Sequence, residues 1–252
     1  MIEGFYKRVF SSSAMDGEPA EFDIYEKGEG PVLVILQELP GIEAETVRFA
    51  EKIVDAGFRV VMPHLFGPLG KFAILRNTAR LFCVRKEINI FARNQSSPIV
   101  DWLRDLCSDV RNRYRVEGVG VIGMCLTGNF AISLMADDNV LASVASQPSL
   151  PMFSQSSLHM SELDVMEISA RLDEHGPMLA YRFAGDKLCK AAKFEALDKA
   201  FNQDKERIKL TEVPGNKHAM LTAHFIHEEG SPTQKALDEI ITYFKSKLSA
   251  AA

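Results

Sequence analysis

Cys125 stands in VIGMCLTG, residues 121–128, between an apolar β-type run and the opening of a helical pattern, with Gly123 before it and Gly128 after it. Most free cysteines are inert core thiols, and Cys125 alone reads as one. Two further residues change that reading. Asp186 follows the run MLAYRFAG, and His218 follows RIKLTEVPG after the short turn of Asn216 and Lys217. A thiol nucleophile, an imidazole base and a carboxylate to hold the imidazole's tautomer are what covalent acyl transfer needs. At a helix N-terminus the unpaired backbone N–H groups and the positive dipole end favour a thiolate. There the N–H of Leu126 would face the oxyanion of a tetrahedral intermediate, with a second donor expected from the loop around Leu39.

These residues need elements that bring them together. VLVILQEL (Val32 to Leu39) and FRVVMPHLF (Phe58 to Phe66) bracket the helical pattern EAETVRFAEKIVDAG. Runs apolar at nearly every position are what strands covered on both faces look like, and strand–helix–strand implies a parallel crossover. The pattern recurs. A helix over 98–114 precedes the strand GVGVIGM; LASVASQP, MLAYRFAGD and RIKLTEVPG follow, and a helix over 232–248 closes the chain. This predicts a mostly parallel, doubly wound α/β sheet with helices on both faces, where ligands bind at the carboxyl ends of the strands. Residues 68–97 mix apolar and basic types without a strand signal and are expected to form a helical excursion over one end of the sheet. Residues 152–172 read as a Ser-rich loop leading into an amphipathic helix.

The chain has 252 residues, 46% of them hydrophobic, and no Gly/Ser/Pro-rich linker or repeat divides it, so a single domain over 1–252 is expected. Net charge is −5 with the signs interspersed, which leaves no basic stripe for nucleic acid. No stretch approaches the ~20 apolar residues of a membrane span, and MIEGFYKRVF lacks the layout of a signal peptide. A cytoplasmic protein is expected. Cys83, Cys107, Cys125 and Cys189 include no CxxC pair, which argues for reduced thiols rather than disulfides or a zinc cluster.

Nucleophile, acid and histidine follow the chain order of the α/β-hydrolase elbow. GMCLTG at 123–128, Gln37-Glu38 at an early strand end, FAGD at 183–186 and PGNKHA at 214–219 together resemble the dienelactone hydrolase family. The similarity runs from about Pro31 to Leu248 and implies the α/β-hydrolase fold, a Cys125–His218–Asp186 triad and cleavage of a small ester or lactone through a thioester. It further implies that Glu38 is a fourth catalytic residue, held near the resting thiol and displaced by substrate. No cofactor or metal is implied. Two positions depart from the family pattern. Thr127 replaces the first of two paired glycines after the nucleophile, which is expected to alter the elbow or the pocket. Thr222 stands where better-known members carry an arginine for the substrate carboxylate, so a clamp would have to come from Arg76, Arg80, Arg85 or Arg93.

Arg93, Thr127, Thr222 and His64 are therefore the candidate substrate contacts, His64 because it follows the strand FRVVMP. Cys189, three residues after Asp186, is a further candidate neighbour of the site, while Cys107 and Trp102 belong to the core side of a helix. His218, His224 and His227 do not match metal-binding spacings. A small-molecule substrate and a monomer or small homo-oligomer complete the expectation. The rival readings are a non-catalytic small-molecule-binding scaffold of the same fold and a thiol redox sensor at Cys125.

Overall fold

Residues 32–36 are apolar at every position because the strand they form is covered on both sides. In the computed structural model, which describes residues 2–15, 18–39, 41–67, 98–149, 158 and 160–248, this strand lies inside an eight-stranded sheet. The strands are β1 (Tyr6–Met15), β2 (Glu18–Lys27), β3 (Val32–Leu36), β4 (Arg59–Pro63), β5 (Val119–Met124), β6 (Val140–Ser146), β7 (Met178–Phe183) and β8 (Ile208–Val213). Their spatial order is β1-β2-β4-β3-β5-β6-β7-β8. From β4 to β8 every pairing is parallel; β1 and β2 form an antiparallel edge. The sequence reading begins its strands at Val32, so the β1–β2 edge is an addition. Its strand YKRVFSSSAM mixes charged and polar residues into the pattern, because Tyr6 and Val9 on this edge face water.

Alternation along the strands builds two cores. Val32, Val34 and Leu36 pack with helices α2 (Pro98–Tyr114), α3 (Leu126–Ser133), α4 (Glu162–His175) and α5 (Ala191–Phe201). Leu33 and Ile35 point to the opposite face, against α1 (Ala44–Asp55) and α6 (Pro232–Leu248). Trp102 on α2 is fully buried and donates its indole N–H to the Ala20 carbonyl at 3.1 Å, which seats the helix on the antiparallel edge. The α4 helix opens with a capping box between Ser161 and Asp164, satisfying two N-terminal backbone donors.

The doubly wound order has a direct consequence for ligand binding. The chain runs from β3 outward to β4, then returns to place β5 on the other side of β3. The carboxyl ends of β3 and β5 therefore flank the switch point, where such sheets bind ligands. Glu38 follows β3 and Cys125 follows β5. The excursion expected at 68–97 and the Ser-rich loop over most of 152–159 lie outside the described residues; the amphipathic helix after that loop is α4.

Packing at the elbow is close enough to predict a mutational effect. A methyl on Gly123 would lie 2.1 Å from the Thr127 carbonyl oxygen, in the backbone turn that follows Cys125. Gly123→Ala must displace that turn, so it should lower stability by about 2 kcal/mol or more and reshape the elbow. Urea denaturation of the variant beside wild type measures this, and an unchanged midpoint would contradict the packing.

Candidate active site

Cys125 occupies a strained backbone position. Its φ of 59° and ψ of −122° leave the regions that L residues favour, at the junction of β5 and α3. Such strain persists only where neighbours over-determine it. Here the Cys125 N–H donates to Ser146 O at 3.0 Å, while the Cys125 carbonyl accepts from Gly128 N at 3.0 Å and Ser149 N at 3.1 Å. The elbow is thus tied both to its own helix and to the end of β6.

Thr127 is part of that brace. It is fully buried, accepts from Met124 N at 2.9 Å, and its hydroxyl lies 3.1 Å from both Leu36 O and Gln37 O. Its hydroxyl ties the turn after β5 to the end of β3. A buried hydroxyl must find partners, and the strand-end carbonyls provide them.

Asp186 and His218 meet across two adjacent strand ends. Gly185 N donates to Gly215 O at 2.8 Å, which laces the loop after β7 to the loop after β8. The Asp186 carboxylate accepts from Leu188 N at 2.7 Å and Cys189 N at 3.0 Å through one oxygen. Its other oxygen accepts from His218 Nδ1 at 2.7 Å. With Nδ1 carrying that proton, Nε2 is left as the reactive nitrogen. It is buried without a full hydrogen bond among the described residues. Cys125 lies near enough to the ring for its sulfur to act electrostatically on the imidazole. Burial disfavours the imidazolium, but Asp186 and Cys125 outweigh it and push the His218 pKa up to about 10.

The Cys125 thiol, 8% exposed, also meets Ser149 Oγ at 3.4 Å. Cys189 lies within electrostatic reach of both Asp186 and Cys125, and it donates to Pro148 O at 3.2 Å. Burial pushes its pKa up to about 12, which keeps it a neutral thiol. Glu38 is buried at the end of β3, where loss of water raises its pKa against the opposing effects of Thr222, His218 and Gln147. Thr222 Oγ1 donates to Glu38 Oε1, and Gln147 Nε2 donates to Oε2 at 3.3 Å.

Thr222, expected against substrate, therefore has its hydroxyl committed to Glu38 from a buried position. His64 sits at the end of β4, with its Nε2 2.9 Å from Gly67 O in the following turn. Leu126 is buried at the first position of α3, and Leu39 packs against the sheet core two residues beyond Gln37. Arg93, with Arg76, Arg80 and Arg85, lies outside the described residues. Gln147 and Ser149 are site residues that sequence reasoning passed over. Their signal was a set of polar residues around Pro148 at the carboxyl end of the strand next to the nucleophile's. Among the described residues no cluster of His, Cys, Asp and Glu is arranged to hold a metal ion. No helix among them is long and apolar enough to cross a membrane.

The dienelactone hydrolase family model matches residues 22–248. The chain belongs to the dienelactone hydrolase family. Membership in this hydrolase family agrees with the resemblance carried by the strand-end residues, and the sheet has the α/β-hydrolase order. A Klebsiella pneumoniae subsp. pneumoniae structure, provisionally described as a dienelactone hydrolase, is 15% identical, with a TM-score of 0.67 over 95% of this chain and 98% of its own. A dienelactone hydrolase-like promiscuous phosphotriesterase from metagenomic libraries is 15% identical, with a TM-score of 0.65 over 97% and 99% of the two chains. A cold-adapted esterase from an Arctic intertidal metagenomic library is also 15% identical, with a TM-score of 0.59 over 98% and 96%. At such identities these structures share the fold. Among curated proteins, no sequence matches the chain.

Proposed function

We propose that this dienelactone hydrolase family member is a cysteine-dependent hydrolase of a small ester or lactone, working through a thioester acyl-enzyme. The observation that carries the reading is the His218–Asp186 pair at 2.7 Å with Nε2 left open beside Cys125 on a strained elbow. In this reading His218 Nε2 takes the proton of the Cys125 thiol, the thiolate attacks the substrate carbonyl carbon, and the oxyanion forms toward the backbone N–H groups of Leu126 and Leu39. His218 gives its Nε2 proton to the leaving alkoxide as the carbonyl reforms. Water then attacks the thioester while His218 takes its proton; the acid departs and the thiol is restored. Asp186 keeps the imidazole in the tautomer both steps need.

Glu38 is the gate of the site, displaced as substrate enters and helping to generate the thiolate. The chemistry needs no metal or organic cofactor. Among the described residues Cys107, Cys125 and Cys189 are free thiols, which fits a reducing, cytoplasmic setting. A monomer or small homo-oligomer suffices, because Cys125, Asp186, His218 and Glu38 all come from one chain.

The test is to trap the intermediate. Acid quenching during turnover of an activated aryl acetate, followed by proteolysis and mass spectrometry, should place one acetyl group on the peptide containing Cys125. Hydroxylamine should remove it, as it removes thioesters. Turnover that continues without any adduct at Cys125, or in Cys125→Ala, would overturn the mechanism.

A further inference from the structure

A buried carboxyl group is costly unless its oxygens are satisfied, and Glu38 meets this requirement in an unusual way. Among the described residues each of its two oxygens has one donor, and both donors are neutral: the Thr222 hydroxyl on Oε1 and the Gln147 amide on Oε2. These donors come from different parts of the fold. Thr222 is 3% exposed in the turn that follows His218, where its N–H bonds to Ala219 O at 3.3 Å. Gln147 is fully buried just beyond β6.

Gln147 is itself held firmly. Its φ of 37° is one of the three left-handed non-glycine backbones among the described residues, and a second is Cys125. Its N–H donates to Tyr181 O at 2.6 Å, and its side-chain oxygen takes the Ser146 hydroxyl. The amide nitrogen is thereby the end left to face Glu38. A strained residue whose backbone and side chain are both committed, and which aims its donor at a buried carboxyl, has the character of a positioning device.

Among the described residues the ionisable groups that act on this carboxyl are His218 from the loop after β8 and Glu43 from the segment before α1. Among the described residues no arginine or lysine hydrogen-bonds it, and its partners are Thr222 and Gln147 rather than the Cys125 thiol, which meets Ser149.

We propose that Gln147 and Thr222 are positioning residues that grip the two oxygens of Glu38 between β3, β6 and the His218 turn, hold the carboxyl clear of the Cys125 thiol, and set the pH at which it ionises. This rests on the reading of Glu38 as the gate. Both donors favour the carboxylate over the acid, so removing either makes Glu38 harder to ionise.

The experiment is the pH dependence of kcat/KM on an aryl acetate, from about pH 4 to about pH 9, which reports the free enzyme's essential groups. Wild type should show an acid limb that Glu38→Gln lacks. Thr222→Val, nearly the same shape, should move that limb upward by about one pH unit, the scale of one lost hydrogen bond to a charge. Thr222→Ser should restore it. Gln147→Asn, which tolerates the left-handed backbone but shortens the amide out of reach, should shift the limb in the same direction. If Glu38→Gln removes the limb but both donor variants leave it in place, the positioning role is wrong and the gate stands. If Glu38→Gln keeps the wild-type limb, the gate fails and the positioning role with it.

Discussion

Cys125→Ala should lower kcat/KM by at least about a thousandfold on any ester the wild type hydrolyses, with the fold intact. Alanine removes the sulfur and nothing else of size, so the hydrogen bonds of the elbow to Ser146, Gly128 and Ser149, all made by backbone atoms of residue 125, are retained. A companion variant separates chemistry from strain. Cys125→Gly relaxes a φ of 59° that only glycine adopts freely. It should be inactive yet more stable than Cys125→Ala by about 1 kcal/mol, because backbone strain of this kind costs about that much or more. Parallel urea denaturation and ester assays read both effects. A glycine variant no more stable than the alanine one would mean that the elbow carries no strain, and an active alanine variant would remove Cys125 from the mechanism.

His218→Ala has the second largest expected effect, a loss of at least about a hundredfold in kcat/KM, the low end of what a positioned general base supplies. It also makes a prediction in stability. The His218 pKa rises from 6.5 to about 10 on folding, so the folded state holds its proton more tightly than the unfolded chain does. That contribution is fully present below pH 6.5 and is lost as the pH climbs toward 10. The stability advantage of wild type over His218→Ala should therefore shrink across this interval in denaturation curves taken at several pH values. A gap that widens with pH would mean that His218 is held neutral in the fold, contrary to the upward push of Asp186 and Cys125 on its pKa.

The two threonines show why the site was only partly legible. At Thr127 and Thr222 the sequence departs from the family pattern, and it marks each as a candidate substrate contact without saying what its hydroxyl bonds. In the fold both are buried, one bracing the elbow against β3 and the other bonded to Glu38. A hydroxyl's direction depends on which acceptors the tertiary packing brings within about 3 Å, and neither set is near in sequence. Thr127 reaches Leu36 from 91 residues away, and Thr222 reaches Glu38 from 184.

The sequence by itself determined the parallel sheet from β3 onward, because strands covered on both faces must be apolar throughout. It also determined the spans 98–114 and 232–248 of two core helices, as the structure has them. It placed Cys125, Asp186 and His218 at carboxyl strand ends, since a reactive side chain directly after an apolar run can lie nowhere else in such a sheet. The β1–β2 edge was not legible, because an edge strand half in water carries no continuous apolar signal. Only the tertiary structure decided which polar residues meet. Gln147 and Ser149 sit next to Cys125 and Glu38 because β6 pairs with β5, and that register is a matter of sheet packing rather than of any local pattern.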